Sequence, residues 1–185
     1  MLIDVTLKIT PEIANDPIHS KPSLIGHIGT HFDVMEKEFP LEYTERKGII
    51  FDVSGVIGRD IDINDISLDL IEKDSFVAFY SGYIERVSYG ENGYFTDHPQ
   101  LSFSLIESLT EKGVSVIGLD FAGIRRGKEH TPTDRYCAER GTFIVENLCN
   151  LKAVFERSET FTAHTYPMNY VGITGLPCRV IAEID

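Results

Sequence analysis

The sequence predicts a mixed α/β fold, and three features carry that expectation. Short apolar runs rich in β-branched and aromatic residues recur along the chain. Two stretches between them carry helix caps at both ends, and each is followed within a few residues by another apolar run. Such alternation of strand and helix is the pattern of sheets covered by helices.

The runs at residues 49–53 (IIFDV), 76–80 (FVAFY), 114–119 (VSVIGL) and 142–145 (TFIV) read as buried strands. Residues 180–184 (VIAEI) read as a closing strand, and residues 4–9 (DVTLKI) alternate as a half-exposed opening strand does. The first helix follows Ser102 as N-cap and stops at Gly113, with Leu105, Ile106 and Leu109 forming an apolar stripe. The second is expected to open with Thr131 as N-cap and Pro132 at its first position, and to end before Gly141. That places His130 ahead of the cap, in a loop. No repeat, low-complexity tract or linker interrupts the chain, so residues 1–185 are expected to form one domain.

Composition narrows the function classes. Of 185 residues, 42% are hydrophobic and 25% charged, as in folded soluble proteins. A net charge of −12 repels phosphate backbones and anionic membranes, so neither nucleic acid nor membrane is an expected partner. No apolar run approaches the ~20 residues of a membrane span. The opening residues hold no basic stretch followed by an apolar one, so no secretory signal is expected. Cys137, Cys149 and Cys178 form no C-x-x-C pair, which fits reduced thiols and a cytoplasmic setting. Nucleophile elbows, P-loops and dinucleotide fingerprints are all missing from the sequence.

The densest group of potential ligands is His27-Ile28-Gly29-Thr30-His31-Phe32-Asp33-Val34. In extended chain His27, Gly29, His31 and Asp33 share one face, while Ile28, Thr30, Phe32 and Val34 share the other. Two imidazoles and a carboxylate suit zinc or a similar divalent ion. The same residues also suit half-buried, hydrogen-bonded side chains with no ion. A straight strand would hold the two histidine backbones ~13 Å apart at ~3.3 Å per residue, too far for one ion. A bend or bulge is therefore expected at Gly29, where no Cβ opposes it.

HIGTHFD resembles the start of the signature H-x-G-T-H-x-D-x-P-x-H of the cyclase family, which includes bacterial kynurenine formamidases and isatin hydrolases. GYFTDHPQLS, the helix after it and VSVIGLDFAG resemble that family's H-P-x-L-S, helix and V-x-x-I-G-x-D region. GTFIVENLCNL is similar to its late strand, and LPCRV to its closing segment. The resemblance runs from about Asp4 to the C-terminus. It implies a single-domain layered β/β/α fold, two β layers with helices outside, in a homo-oligomer (dimer or tetramer). It also implies a first metal ion held by His27, His31, Asp33 and Glu146. A second ion in the family uses a histidine at a position held here by Asp134, so one or two ions per chain are expected. Asp134 has another reading as an acid in the first turn of a helix. Zinc is the first expectation and manganese the second, because carboxylates harden the site.

The family's proton-transfer histidine is replaced by Lys37, and the proline two residues before it by Met35. Lysine does that work only with a strongly lowered pKa, and Glu36-Lys37-Glu38 favours a charged, solvated side chain. Glu36, Glu38, His98 and His164 are the other candidates, with Lys37 and His98 as the named catalytic ones. The expected function is a metal-dependent hydrolase attacking an amide-like or cyclic amide carbonyl of a small molecule, an arylformamidase-like C–N cleavage. The alternatives are a metal-binding homologue that senses or sequesters a ligand without hydrolysis, and a metal-dependent lyase or cyclase. Formamidases of the family place an N-terminal Trp against an aromatic substrate; this chain has no Trp, and IHSKPS precedes the motif.

Overall fold

The polypeptide is described by a computed structural model covering residues 1–7 and 26–184. Its strands are β1 (Leu2–Asp4), β2 (His31–Asp33), β3 (Glu45–Asp52), β4 (Phe76–Tyr80), β5 (Val116–Leu119), β6 (Phe143–Glu146), β7 (Thr160–Pro167) and β8 (Gly175–Glu183). They lie in the order β1-β8-β2-β6-β5-β4-β3-β7, and β7 pairs back onto β8. Strands β2 to β8 thus close into a barrel whose two sides are the expected β layers. The run β3-β4-β5-β6 is parallel, and the remaining pairs are antiparallel. The helices α1 (Tyr83–Arg86), α2 (Phe103–Glu111), α3 (His130–Ala138) and α4 (Leu151–Phe155) fall in the connections.

Period-2 alternation explains the two cores. On one face of the strands, Phe32, Ile50, Phe76, Ala78, Val116, Val145, Ala163 and Val180 pack together and fill the barrel. On the other face, Ile49, Val77, Phe79, Ile117, Leu119 and Ile144 pack outward against Leu105, Ile106 and Leu109 of α2. Burying each of those three side chains contributes ~1.5–3 kcal/mol. Helix α2 is capped as its sequence predicts: Ser102 Oγ accepts from the Leu105 N–H, and Gly113 stands just past the end at φ +75°.

Helix α3 differs from expectation at its start. A 3-10 turn, Gly127–Glu129, delivers the chain already coiled, so the helix begins at His130 and Thr131 is not its cap. The residue at the N-cap position, Glu129, makes no capping bond. Its carboxylate is held instead by Arg125, 2.6 Å away. His130 therefore belongs to the helix and not to a loop. Other boundaries move too: β6 extends by one residue to Glu146, β3 begins at Glu45 and not at residue 49, and β8 begins at Gly175 and not at residue 180. Strand β7 has no counterpart in the sequence reading. Part of the expected opening strand, and IHSKPS, lie outside the described residues. Among the described residues no helix is long and apolar enough to cross a membrane.

Candidate metal centre

Strand register assembles the first half of the site. β2 and β6 are antiparallel neighbours with His31 opposite Glu146 and Asp33 opposite Ile144. Because Phe32 and Val145 point into the barrel, His31, Asp33 and Glu146 all point out of it. Helix α3 covers this outer face, and its residues His130 and Asp134, one turn apart, sit over the strand ends. The chain enters β2 through Gly29, at φ +70°, so the expected bend is present. It brings the His27 and His31 rings to a 4.8 Å centroid separation.

Two groups of ligand-type atoms result, each lying within 4.8 Å: His27, His31 and Asp33, and then Asp33, His130, Asp134 and Glu146. Asp33 belongs to both. His27 Nδ1 lies 3.2 Å from Asp33 Oδ1, and His31 Nε2 lies 3.7 Å from Asp33 Oδ1 and from Glu146 Oε2. His130 Nε2 stands 3.1 Å from Asp134 Oδ2, 3.2 Å from Glu146 Oε1 and 3.9 Å from Asp33 Oδ2.

His27 and His31 are each anchored by their other nitrogen. His27 Nε2 bonds Thr174 Oγ1 at 2.9 Å, and His31 Nδ1 bonds the Gly29 carbonyl at 2.9 Å. An imidazole held at one nitrogen presents the other in a fixed direction, the arrangement that metal-ligating histidines use. Gly175 makes room for the His27 ring, since a Cβ there would lie 2.7 Å from it.

The charges are unbalanced. Burial raises the Glu146 and Asp134 carboxyls, and the Asp33 charge raises both further. Burial opposes ionisation of Asp33 as well, but contacts with His130, His27 and His31 hold it below the usual carboxylate range. His130 is pushed up to about 12: burial alone would lower it, and Asp33 and Glu146 outweigh that. Three buried carboxylates thus face one strongly held imidazolium. Asp33 Oδ2, both Asp134 oxygens and Glu146 Oε1 are buried with no hydrogen-bond partner among the described residues. Orphaned buried carboxylate oxygens are costly, and hard oxygen donors mixed with imidazoles suit a divalent cation. The residues present therefore fit such an ion. Asp134 in particular is buried, pointed at the cluster, and makes no hydrogen bond to its own helix start.

These groups form the floor of a cavity of about 440 Å³. Its remaining wall is largely apolar, with Met35, Tyr89, Phe95 and Ala122 beside Thr131, Asn147 and Thr174. Neither catalytic candidate named from the sequence stands on that wall. Lys37 is exposed, as are Glu36 and Glu38. The buried His98 ring stacks on Phe121, its Nδ1 lies 2.6 Å from the Pro99 carbonyl, and burial lowers its pKa to about 4. His164, on β7, pairs with Glu183 at 2.8 Å. A second cavity, about 450 Å³, is lined by Lys47, Glu72, Arg157 and Glu183 among others and holds no comparable cluster among the described residues.

Sequence reasoning misplaces one contributor and misses three. His130 stands four residues before Asp134 and is a candidate stand-in ligand, but the expected helix start, two residues too late, sets it in a loop. Thr174, Gly175 and Asn147 act through contacts across more than a hundred residues, for which the sequence carries no local sign.

Comparison with known proteins places this geometry. Residues 3–125 match the family model Cyclase, described as "Putative cyclase". The matched stretch includes His27, His31 and Asp33 and stops short of His130, Asp134 and Glu146. No curated protein matches the chain significantly. Among solved structures, one described as a potential metal-dependent hydrolase with cyclase activity superposes with a TM-score of 0.76 at 25% identity, covering 98% of this chain and 96% of the other. A predicted metal-dependent hydrolase from Bacillus stearothermophilus gives 0.76 at 23% identity, over 98% and 97% of the two chains. Isatin hydrolase A from Labrenzia aggregata, bound to benzyl benzoate, gives 0.75 at 18% identity, over 98% and 93%. With the family match spanning well over half of its length, the chain belongs to the Cyclase family.

Proposed function

We propose that the chain is a metal-dependent hydrolase that cleaves an amide-like or cyclic amide bond of a small molecule. The observation that carries this reading is the set of orphaned, buried carboxylate oxygens of Asp33, Asp134 and Glu146 facing three imidazoles at the floor of an open cavity. His27, His31, Asp33 and Glu146 would hold one ion, and His130 and Asp134 with the shared carboxylates could hold another. Zinc or manganese suits that donor set. A divalent ion there supplies Lewis-acid polarisation of a carbonyl and acidifies water.

The protein's own groups set the rest. His27 and His31 are oriented by Thr174 and Gly29, so their free nitrogens are fixed before any ligand arrives. Met35, Tyr89, Phe95 and Ala122 supply an apolar flank for the non-reacting part of a substrate and keep water from that side. Burial and the Asp33 charge raise the Asp134 carboxyl well above its ordinary value, so ionisation at the cavity floor is opposed in the ion-free protein. The neighbours named as metal-dependent hydrolases and isatin hydrolase support the same reading.

The test joins metal content to turnover. Protein purified without added metal is assayed for bound ions, then for hydrolysis of N-formyl aromatic amines, isatin-like lactams and simple lactones, before and after chelation. Bound ion and chelator-sensitive turnover are expected. No ion, or turnover indifferent to chelator and to His31→Ala, would refute it. One observation favours a second reading, ligand binding without hydrolysis: exposed Lys37 leaves the family's proton-transfer position without an imidazole. Retained ion with no turnover on that panel would select it.

A further inference from the structure

We propose that Asn147 is a positioning residue that fixes the tautomer and orientation of the His31 ring, acting through the Gly29 carbonyl. The proposal rests on the ligand role proposed for His31. Asn147 directly follows Glu146, is buried, and sits in the left-handed region at φ +59°. That conformation is uncommon for a residue with a Cβ, and Asn tolerates it better than most. Here it lets one strand end do two jobs. Glu146 points at the carboxylate cluster, while the Asn147 side chain turns back beneath the Gly29–His31 segment.

Every polar group of Asn147 around that segment is engaged. Its Nδ2–H donates to the Gly29 carbonyl at 2.9 Å, and its Oδ1 accepts from the Tyr94 hydroxyl at 2.8 Å. Its backbone carbonyl accepts from the Thr30 hydroxyl at 2.8 Å. The Gly29 carbonyl also takes the bond from His31 Nδ1, at 2.9 Å. A carbonyl only accepts, so the amide must present Nδ2 to it and Oδ1 to Tyr94. For the same reason His31 must carry its proton on Nδ1, which leaves the Nε2 lone pair directed at Asp33 and Glu146. The carbonyl selects the amide orientation, Tyr94 holds the amide's other end, and the same carbonyl sets the ring. All four groups lie inside the protein, where no water competes for these bonds.

No other side chain of similar size satisfies both ends. Leucine offers no donor to Gly29, and aspartate sets an acceptor against an acceptor. Alanine leaves the Gly29 carbonyl without its amide donor.

The experiment uses the full chain, ion-free, with 15N-labelled histidine and at alkaline pH. Ring-nitrogen shifts report the His31 tautomer directly, a signature that loss of packing alone does not move. The wild type should show only the Nδ1–H form. Asn147→Ala should show a mixture and bind zinc about 10–100-fold more weakly, the usual effect of losing a partner that orients a ligand. Tyr94→Phe should show a smaller change of the same kind. If Asn147→Ala fails to fold by circular dichroism, Tyr94→Phe decides alone. A pure Nδ1–H signal with unchanged zinc affinity in the folded variant, or an Nε2–H signal in the wild type, would overturn the proposal. Wild-type chain that takes up no zinc would refute the ligand role of His31, while the tautomer comparison still judges Asn147.

Discussion

Replacing Gly175 by alanine perturbs the centre from behind. A Cβ at this position would lie 2.7 Å from Cε1 and Nε2 of His27 and 2.8 Å from Cδ2, whereas ordinary contact begins near 3.4 Å, so the ring must yield by 3.4 − 2.7 = 0.7 Å. The ring is held at both nitrogens, 2.9 Å from Thr174 Oγ1 and 3.2 Å from Asp33 Oδ1. A slide of that size stretches the Thr174 bond beyond the ~3.2 Å limit of a good N–H···O contact. Overpacking of this kind costs about 1–3 kcal/mol, partly offset by about 0.4–1 kcal/mol from a stiffer unfolded chain. Zinc affinity should fall about tenfold or more, as when a ligand loses its orienting partner. Urea unfolding of the ion-free chain and calorimetric zinc titration measure the two effects. In a His27→Ala background the clash has no partner, so the stability penalty should vanish to within about 0.5 kcal/mol. An equal penalty in both backgrounds, or wild-type zinc affinity in Gly175→Ala, would refute the reasoning.

Three further outcomes follow from the same geometry. His98 is depressed by burial to about 4, so the fold binds fewer protons than the unfolded chain between about pH 4 and 6.5; its contribution is complete above that window and is lost as pH falls through it. His98→Phe, which keeps a ring over Phe121, should remove about 3 kcal/mol of that acid sensitivity in denaturant titrations across the window, and an unchanged slope would contradict the burial argument. His130, raised to about 12, stays imidazolium through neutrality in the ion-free chain, so taking up an ion among its carboxylate partners should release a proton. Zinc affinity should then rise about tenfold per pH unit above neutrality, and a flat profile by calorimetry would exclude the release. Asp134→Asn removes a carboxyl whose ionisation burial and Asp33 oppose, so ion-free stability at neutral pH should change by less than about 1 kcal/mol. The thermal shift produced by zinc or manganese should shrink, and an unaltered shift would place Asp134 outside the ion's reach.

Local signals carried the elements that local physics decides. Residues 76–80 read as a strand because both faces are buried, one in the barrel and one beneath α2, which demands an unbroken apolar run. Ser102 and Gly113 marked the ends of α2 because capping is local. Strand β7 escaped notice because TFTAHTYP alternates with threonine and histidine on its exposed face, so its apolar content is low. The start of α3 was misjudged because a preceding 3-10 turn does the work expected of a Thr cap. That two-residue shift sets His130 in a loop, although its Nε2 lies 3.2 Å from Glu146 Oε1 and 3.1 Å from Asp134 Oδ2. His27, His31 and Asp33 were legible as a cluster since they share one short segment. The supports behind them, Thr174, Gly175 and Asn147, are brought there by the pairing of β2 with β8 and β6, and Tyr94 reaches Asn147 from a distant turn.

The central claim is that the carboxylate–imidazole cluster is a divalent-ion site. Its most direct test is the ion stoichiometry of the wild-type chain, by mass spectrometry of metals, after equilibration with zinc or manganese and exhaustive dialysis. The account predicts one or two ions per chain, and an ion-to-protein ratio indistinguishable from zero would contradict it.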